Sequence, residues 1–307
     1  MKSKLRIALE VLILVAIVAY IVSRIDLAKI GEILSTLSYS WLILALLLNT
    51  TGILVTAYGL KILFDTVRFT SFMQWLKYFL MSFSVGLILP GKAGDLSIIY
   101  FMKDKGFSIG ESTAFTILDK LITIVVFGLV ATVGIFTILS SAELYIGLLF
   151  LAVIAATGAF LFSEPGRRVA SKVLGKYAEK FQGFGSTFRT LVKKHRSRVL
   201  INVFLTAVRP FINGLVIILL FKAMSIDVSL FYAILINAIA LAASLIPLTP
   251  NGLGVREGVG AYLFSLVGVP LEASISMYLI FLIMWQIFGL IGVGCYLTRK
   301  RKTKLGI

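Results

Sequence analysis

The sequence predicts an all-α integral membrane protein: six full transmembrane helices plus two opposed re-entrant hairpins, arranged as an inverted repeat. Three observations lead there. Of the 307 residues, 59% are hydrophobic and only 14% are Asp, Glu, Lys or Arg, against about 25% charged in an ordinary soluble domain. Mean hydropathy is +1.01, far from the polar composition that keeps a chain disordered. The basic residues are also clustered, and their clusters select how many apolar runs cross.

The elements follow in order. Residues 5–22 form an apolar run preceded by Lys2, Lys4 and Arg6. Ser23-Arg24-Ile25-Asp26 comes next rather than a small-residue cleavage site, which predicts an uncleaved first helix instead of a signal peptide. Runs of about 20 residues, the length that crosses hydrocarbon, are 41–60, 114–139, 143–162, 199–221 and 274–297. Two further runs, 75–89 and 231–247, end at turns instead of charged loops. The turns are Pro90-Gly91-Lys92-Ala93-Gly94-Asp95 and Pro247-Leu248-Thr249-Pro250-Asn251-Gly252-Leu253-Gly254.

Charge decides what the two runs are. The 164–198 loop holds ten basic residues against Glu164 and Glu179, and the tail adds Arg299, Lys300, Arg301, Lys302 and Lys304. Both clusters, with the N-terminus, belong on the cytoplasmic side. Were all eight runs to cross, the 164–198 loop would lie outside. If 75–89 and 231–247 instead dip in and return through 96–102 and 259–269, every basic cluster falls inside. The chain then reads as one polytopic domain, 1–307. It comprises an N-terminal helix and loop (1–39), a first repeat (40–142, hairpin near 75–105), a connector helix and basic loop (143–198), a second repeat (199–298, hairpin near 231–269) and a basic tail (299–307).

The halves carry matching spacings. Asp95, Tyr100 and Gly106 are 5 and 6 apart, as are Glu257, Tyr262 and Gly268; Pro90 to Gly94 and Pro250 to Gly254 each span four. Gly/Pro-interrupted segments at corresponding places in two halves point to a transporter's binding site.

Several chemistries are excluded by counting. Cys295 and His195 are each the single residue of their type, which removes an intrachain disulfide framework and Cys-based zinc sites; His195 stands in a Lys/Arg run, which argues against Ser-His-Asp catalysis, His-ligated metals and c-type haem. Gly86-x4-Gly91-Lys92-Ala93 approximates a phosphate-binding loop, but it lacks the magnesium-binding Ser/Thr and sits in an apolar run; it reads as coincidence. The net charge of +16 reads as cytoplasmic loops touching anionic headgroups, with no nucleic acid. No metal, cofactor or enzymatic activity is expected.

The hairpin tips carry Lys92, Asp95, Arg256 and Glu257. An ionised side chain at mid-bilayer costs about 2.5–3.5 kcal/mol, which places these groups in a shared polar cavity. Arg209 lies mid-span and joins them; Asp119 and Lys120 lie nearer the cytoplasmic end. Lys92, Arg209 and Arg256 suit a phosphate, guanidinium as a fork and ammonium as a point charge. The turn residues Pro90, Gly91, Gly94, Pro247, Pro250, Asn251, Gly252 and Gly254 let backbone N–H groups approach the same anion. Asp95 and Glu257 would balance charge, take a proton or hold a cationic headgroup. In the simpler alternative the tip charges only pair, Lys92 with Asp95 and Arg256 with Glu257. The 164–198 loop serves as a topology determinant, or binds anionic lipid as an amphipathic surface element.

At these hairpins the sequence resembles the flippase-like transmembrane domain of lysylphosphatidylglycerol synthase and its stand-alone relatives. Leu89-Pro90-Gly91-Lys92-Ala93-Gly94-Asp95 is similar to the family's Pro-Gly-Arg-x-Gly-Glu. The run from Pro247 to Glu257 is similar to its Pro-x-Thr-Pro-Gly-Gly-x-Gly-x-x-Glu, and Leu118-Asp119-Lys120 to its hydrophobic-Asp-Arg step. Asp95 replaces Glu, Asn251 replaces Gly, and Ile98 stands where the family has Arg. The resemblance covers nearly the whole chain without an aminoacyl-transferase domain. It implies translocation of an anionic phospholipid or polyprenyl-phosphate-type lipid between leaflets of the cell membrane, with both termini cytoplasmic. Two other functions stay open: an intramembrane lipid-modifying transferase with Asp95 or Glu257 as base, and an accessory membrane subunit without turnover.

Overall fold

The computed structural model describes residues 26–88, 93–139, 183–245 and 252–304, with Tyr145, Leu148, Ala152 and Thr249. Among the described residues all regular structure is helical, and a helix satisfies its own backbone groups where hydrocarbon offers them no partners. Helix α1 (Leu27–Ser35) starts at Asp26, whose carboxylate accepts from the backbone N–H of Ala28 at 2.9 Å and of Lys29. It occupies part of the expected N-terminal loop and buries Ile30 against Ala261 and Ile275.

Four helices are long and apolar enough to cross a membrane among the described residues. They are α2 (Tyr39–Phe64), α5 (Ile109–Ile138), α7 (Arg196–Ala223) and α10 (Leu271–Lys304). Each extends past the run that predicts it, because interfacial polar residues continue the helix beyond the apolar core. The entry to α5 is a capping box: Ser108 Oγ accepts from the Glu111 N–H at 3.1 Å and Glu111 Oε2 accepts from the Ser108 N–H at 2.8 Å. Such reciprocal capping satisfies two orphan donors at once. The predicted spans 5–22 and 143–162 lie outside the described residues.

Between α2 and α5 the chain runs down α3 (Phe72–Ile88). It comes back through a 3₁₀ turn (Ala93–Leu96), α4 (Ser97–Phe101) and a second 3₁₀ turn (Met102–Lys105). The start and end of this excursion lie together. Arg68 Nη1 donates to the Lys105 carbonyl at 3.0 Å and Lys105 Nζ donates to Gln74 Oε1 at 3.2 Å. Between α7 and α10 the chain runs down α8 (Leu230–Ala243) and returns up α9 (Val255–Leu266). Here too both ends meet at one level. The Phe264 ring stands edge-on to Phe221 at 5.0 Å, and the Ile226 N–H, just before α8, donates to the Phe221 carbonyl at 3.0 Å. At 1.5 Å per residue, α8 is about 21 Å long and α9 about 18 Å, both short of a roughly 30 Å hydrocarbon core.

The halves interlock by exchange: α3 packs on α10, α8 packs on α5, and the leading helices α2 and α7 pack on each other. The α2/α7 pair is antiparallel, since Ser38 donates its N–H to the Ala223 carbonyl, Gly52 meets Ile212 and Gly59 meets Asn202. Two cores result. One surrounds the first hairpin, with Phe64, Trp75, Ile98, Phe107, Phe115 and Leu191. The other surrounds the second hairpin, with Phe221, Ile236, Leu263, Phe264 and Met277.

Helix α6 (Phe184–Lys194), from the basic loop, packs on α5 and α7 beside the first core with Leu191 buried. Arg299, near the end of α10, pairs with Asp104 on the returning arm of the first hairpin. One end of the bundle therefore gathers Arg68, Lys103, Lys105, Arg189, Lys193 and Arg299, while the other carries Glu32, Lys222, Asp227 and Glu272.

Candidate functional site

The foot of the first hairpin is pinned by Trp75, fully buried, whose Nε1 donates to the Ala57 carbonyl at 2.7 Å. Lys61 and Asp65 form a buried ion pair below it, and Asp65 Oδ1 accepts from the Thr70 N–H at 3.2 Å, closing the α2–α3 turn. At the far end of α3 the returning backbone lies directly on the helix. A Cβ on Gly94 would fall 2.2 Å from Gly86 Cα, so only a pair of glycines permits this approach. Ser97 Oγ donates to Ser82 Oγ at 2.9 Å across the two arms. Ser84 Oγ donates to the Gly289 carbonyl at 2.8 Å, and a Cβ on Gly292 would meet Ser84 and Leu80. Small residues at such a contact bring backbones close, the means by which helices associate in lipid.

The second tip is built from backbone that favours glycine. Gly252 has φ +70° and Gly254 φ +81°, and Thr249 Oγ1 donates to the Leu253 carbonyl at 2.7 Å. Gly254 then opens α9. Its N–H donates to Glu257 Oε2 at 2.7 Å, while Glu257 Oε1 accepts from Arg256 Nε at 3.1 Å and Nη2 at 2.9 Å. One carboxylate thus caps the helix, favours its positive end and neutralises the adjacent cation. The Arg256 guanidinium is buried and lies against three rings of α10: Trp285 at 4.7 Å, Phe281 at 5.5 Å and Tyr278 at 5.7 Å. Gly260 lets α9 pass directly over the Tyr278 hydroxyl.

Trp285 joins the tips. It stands midway between Leu271 and Arg299, the limits of the apolar part of α10. One neighbour is Arg256 of the second hairpin; another is Phe83 of the first, with ring centroids 6.0 Å apart. Side chains of α3 and α9 therefore meet at the middle of α10.

A second polar group lines α5 where it faces α7. Asp119 is buried and its Oδ1 accepts from Asn202 Nδ2 at 2.9 Å; Asn202 Nδ2 also donates to the Gly59 carbonyl at 2.8 Å. One turn along, Thr123 Oγ1 accepts from Arg209 Nη1 at 3.3 Å, and a further turn on, the Phe127 ring lies 5.6 Å beneath the Arg209 guanidinium. Asp119, Thr123 and Phe127 recur every four residues, the spacing that keeps one helix face toward α7. Lys120, half-buried, neighbours Asp119 on the same helix.

The predicted site residues thus fall into a tip pair, Arg256 and Glu257, and an α5–α7 stripe holding Asp119 and Arg209. Asp95 lies in the 3₁₀ turn beside the first tip. Lys92, Pro90, Gly91, Pro247, Pro250 and Asn251 lie outside the described residues. Sequence reasoning missed Asn202 and Trp285. An amide inside an apolar run was the available signal for Asn202; Trp285 carried none, since a tryptophan in a span is as often packing as function.

The family model described as Lysylphosphatidylglycerol synthase TM region matches residues 7–292. No curated protein matches the chain. Helical spans, paired broken segments and a match that covers nearly its full length agree: the chain belongs to the family of the lysylphosphatidylglycerol synthase transmembrane region.

Proposed function

We propose that this protein is a membrane lipid translocase that moves an anionic phospholipid or polyprenyl-phosphate-type lipid between leaflets. In this reading six helices cross the bilayer, and the segments 72–105 and 230–266 are re-entrant hairpins entering from opposite faces. Their two repeats are inverted, which agrees with the antiparallel α2/α7 pair and the exchanged packing of α3 and α8. The basic end faces the cytoplasm with both termini, following the distribution of Lys and Arg, and the host bilayer is the cell membrane.

The observation that carries the reading is the convergence of Phe83 and Arg256 on Trp285 at the middle of α10. Broken backbone is tolerated at that depth only inside protein or beside water, and it supplies polar groups where a headgroup must pass. Glu257 engages Nε and Nη2 of Arg256; a phosphate would take the guanidinium's remaining N–H donors. Lys92, Asp95, Asp119, Lys120 and Arg209 complete the polar path, the carboxylates balancing charge as the headgroup passes. Movement between repeats by rocking about the tips would open the path to each face in turn.

Reconstitution into vesicles with fluorescently labelled phosphatidylglycerol, phosphatidylcholine and polyprenyl phosphate tests the proposal. Chemical quenching of the outer leaflet should reveal protein-dependent exchange of the anionic lipids, lost in Arg256→Ala. Exchange of every lipid at the protein-free rate would rule the function out.

A further inference from the structure

Helices α2 and α7 pack side by side, with Ala45 of α2 in the same core as Val216 and Leu220 of α7. They touch at Ser38 and Ala223, and again from Gly52 and Ile212 to Gly59 and Asn202. Between these contacts the exposed side of the pair holds an open cleft of about 520 Å³. Its walls are Leu44, Leu47 and Leu48 of α2 and Leu215, Ile218 and Leu219 of α7, and Lys222 stands at its head. Lys222 is exposed, and its ammonium lies 5.2 Å from the centre of the Trp41 ring.

We propose that this cleft is a binding site for one anionic phospholipid of the leaflet at the Lys222 end, separate from the hairpin tips. An acyl chain lies between the leucines and the phosphate meets Lys222. Length argues for a lipid rather than a protein helix. The lining from Leu44 to Thr51 rises about 10 Å, which fits within the roughly 15 Å hydrocarbon depth of a single leaflet. The cleft then stops where Gly52 closes on Ile212, with a Cβ position 3.2 Å from the Ile212 side chain. A transmembrane partner helix would need a groove continuing across both leaflets. Chemistry argues for an anionic headgroup: a lysine beside a tryptophan, at the end of an apolar channel, is a cation held at headgroup depth.

The site is tested by native mass spectrometry of the full chain in detergent, titrated with dioleoyl-phosphatidylglycerol and dioleoyl-phosphatidylcholine. One phosphatidylglycerol should be retained in preference by about fivefold, the factor matching roughly 1 kcal/mol for one lysine near a phosphate. Lys222→Gln should reduce its retention to that of phosphatidylcholine. Leu48→Trp and, separately, Leu215→Phe should fill the cleft and lower retention of both lipids. Equal retention of the two lipids by the natural sequence, or a preference untouched by Lys222→Gln, overturns the proposal. So does full retention in both cleft-filling variants when their melting temperatures match the parent. A dimer that Leu48→Trp dissociates without changing bound lipid assigns the cleft to a second copy and overturns it as well. Lipid exchange between leaflets is measured separately, so failure of the translocase reading and failure of this site are distinguishable.

Discussion

Arg256 sits where an unpaired cation would be least tolerated, and its neighbours share the task of keeping it there. Glu257 supplies the counter-charge and three rings supply polarisable faces. Removing one partner of a buried pair costs about 3–5 kcal/mol because the other charge stays behind. Arg256→Ala should therefore lower the melting temperature in detergent markedly. Glu257→Gln should lower it as well, since the buried guanidinium loses its counter-charge even though an amide oxygen still accepts from the Gly254 N–H; an unchanged melting temperature in either variant would argue against the pair. Asn202 makes a second testable case. Asn202→Ala removes its bonds to Asp119 and Gly59, and interhelical hydrogen bonds in membranes are worth about 0.6–1.7 kcal/mol each. A double-mutant cycle with Asp119→Asn in thermal unfolding should show coupling of that order, and a coupling of zero would break the pair apart.

At the scale of elements, the first hairpin makes a claim about distance. Residues 82 and 97 would stand about 22 Å apart on a straight helix, yet their hydroxyls touch at 2.9 Å. Ser82→Cys with Ser97→Cys, in a Cys295→Ser background, should form a disulfide on mild oxidation, because linked Cα atoms need to lie about 5.5 Å apart. Absence of the cross-link would mean a straight traverse. Glycine substitutions give an independent measure. Gly94→Ala drives a Cβ into the α3 backbone, and Gly252→Ala forces a side chain onto positive φ beside Ser244. Each should cost about 1–3 kcal/mol and reduce lipid exchange, while Gly128→Ala, with nothing within 4 Å of its Cβ, should leave both unchanged.

Much of this element level was legible beforehand. The all-helical fold and the helix ends near both turn signals were readable because apolar runs, proline and glycine act locally, while Pro90 and Pro250 themselves lie outside the described residues. The arms themselves differ from the expectation. Helix α8 stops at Ala243, ahead of Pro247, and α9 begins at Val255, four residues earlier than the expected return at 259. Glu257 capping the Gly254 N–H explains the early start. Helix α1, held by Asp26, fell in a stretch where no apolar run announced it.

For the whole molecule, the ends of both hairpins define sides. Single cysteines at Arg68 and Lys105 should react with an impermeant thiol reagent only from the face that also exposes Arg196. Cysteines at Asp227 and Gly268 should react only from the opposite face. Labelling of Arg68 and Lys105 from different faces would make the first excursion a crossing and dismantle the inverted arrangement.

Composition and the order of charges were sufficient to establish a helical membrane protein, its broken segments and the family motif. Those properties add up residue by residue along the chain, so reading it in one dimension recovers them. The meeting of Phe83, Arg256 and Trp285 was not recoverable that way, nor was the exchange of α3 and α8 between halves. Such contacts join positions as far apart as Ser84 and Gly289, 205 residues distant, and they depend on how small residues let particular helix faces approach. No local pattern encodes which distant glycine a helix will meet, so only folding in three dimensions brings Phe83 and Arg256 to the same tryptophan.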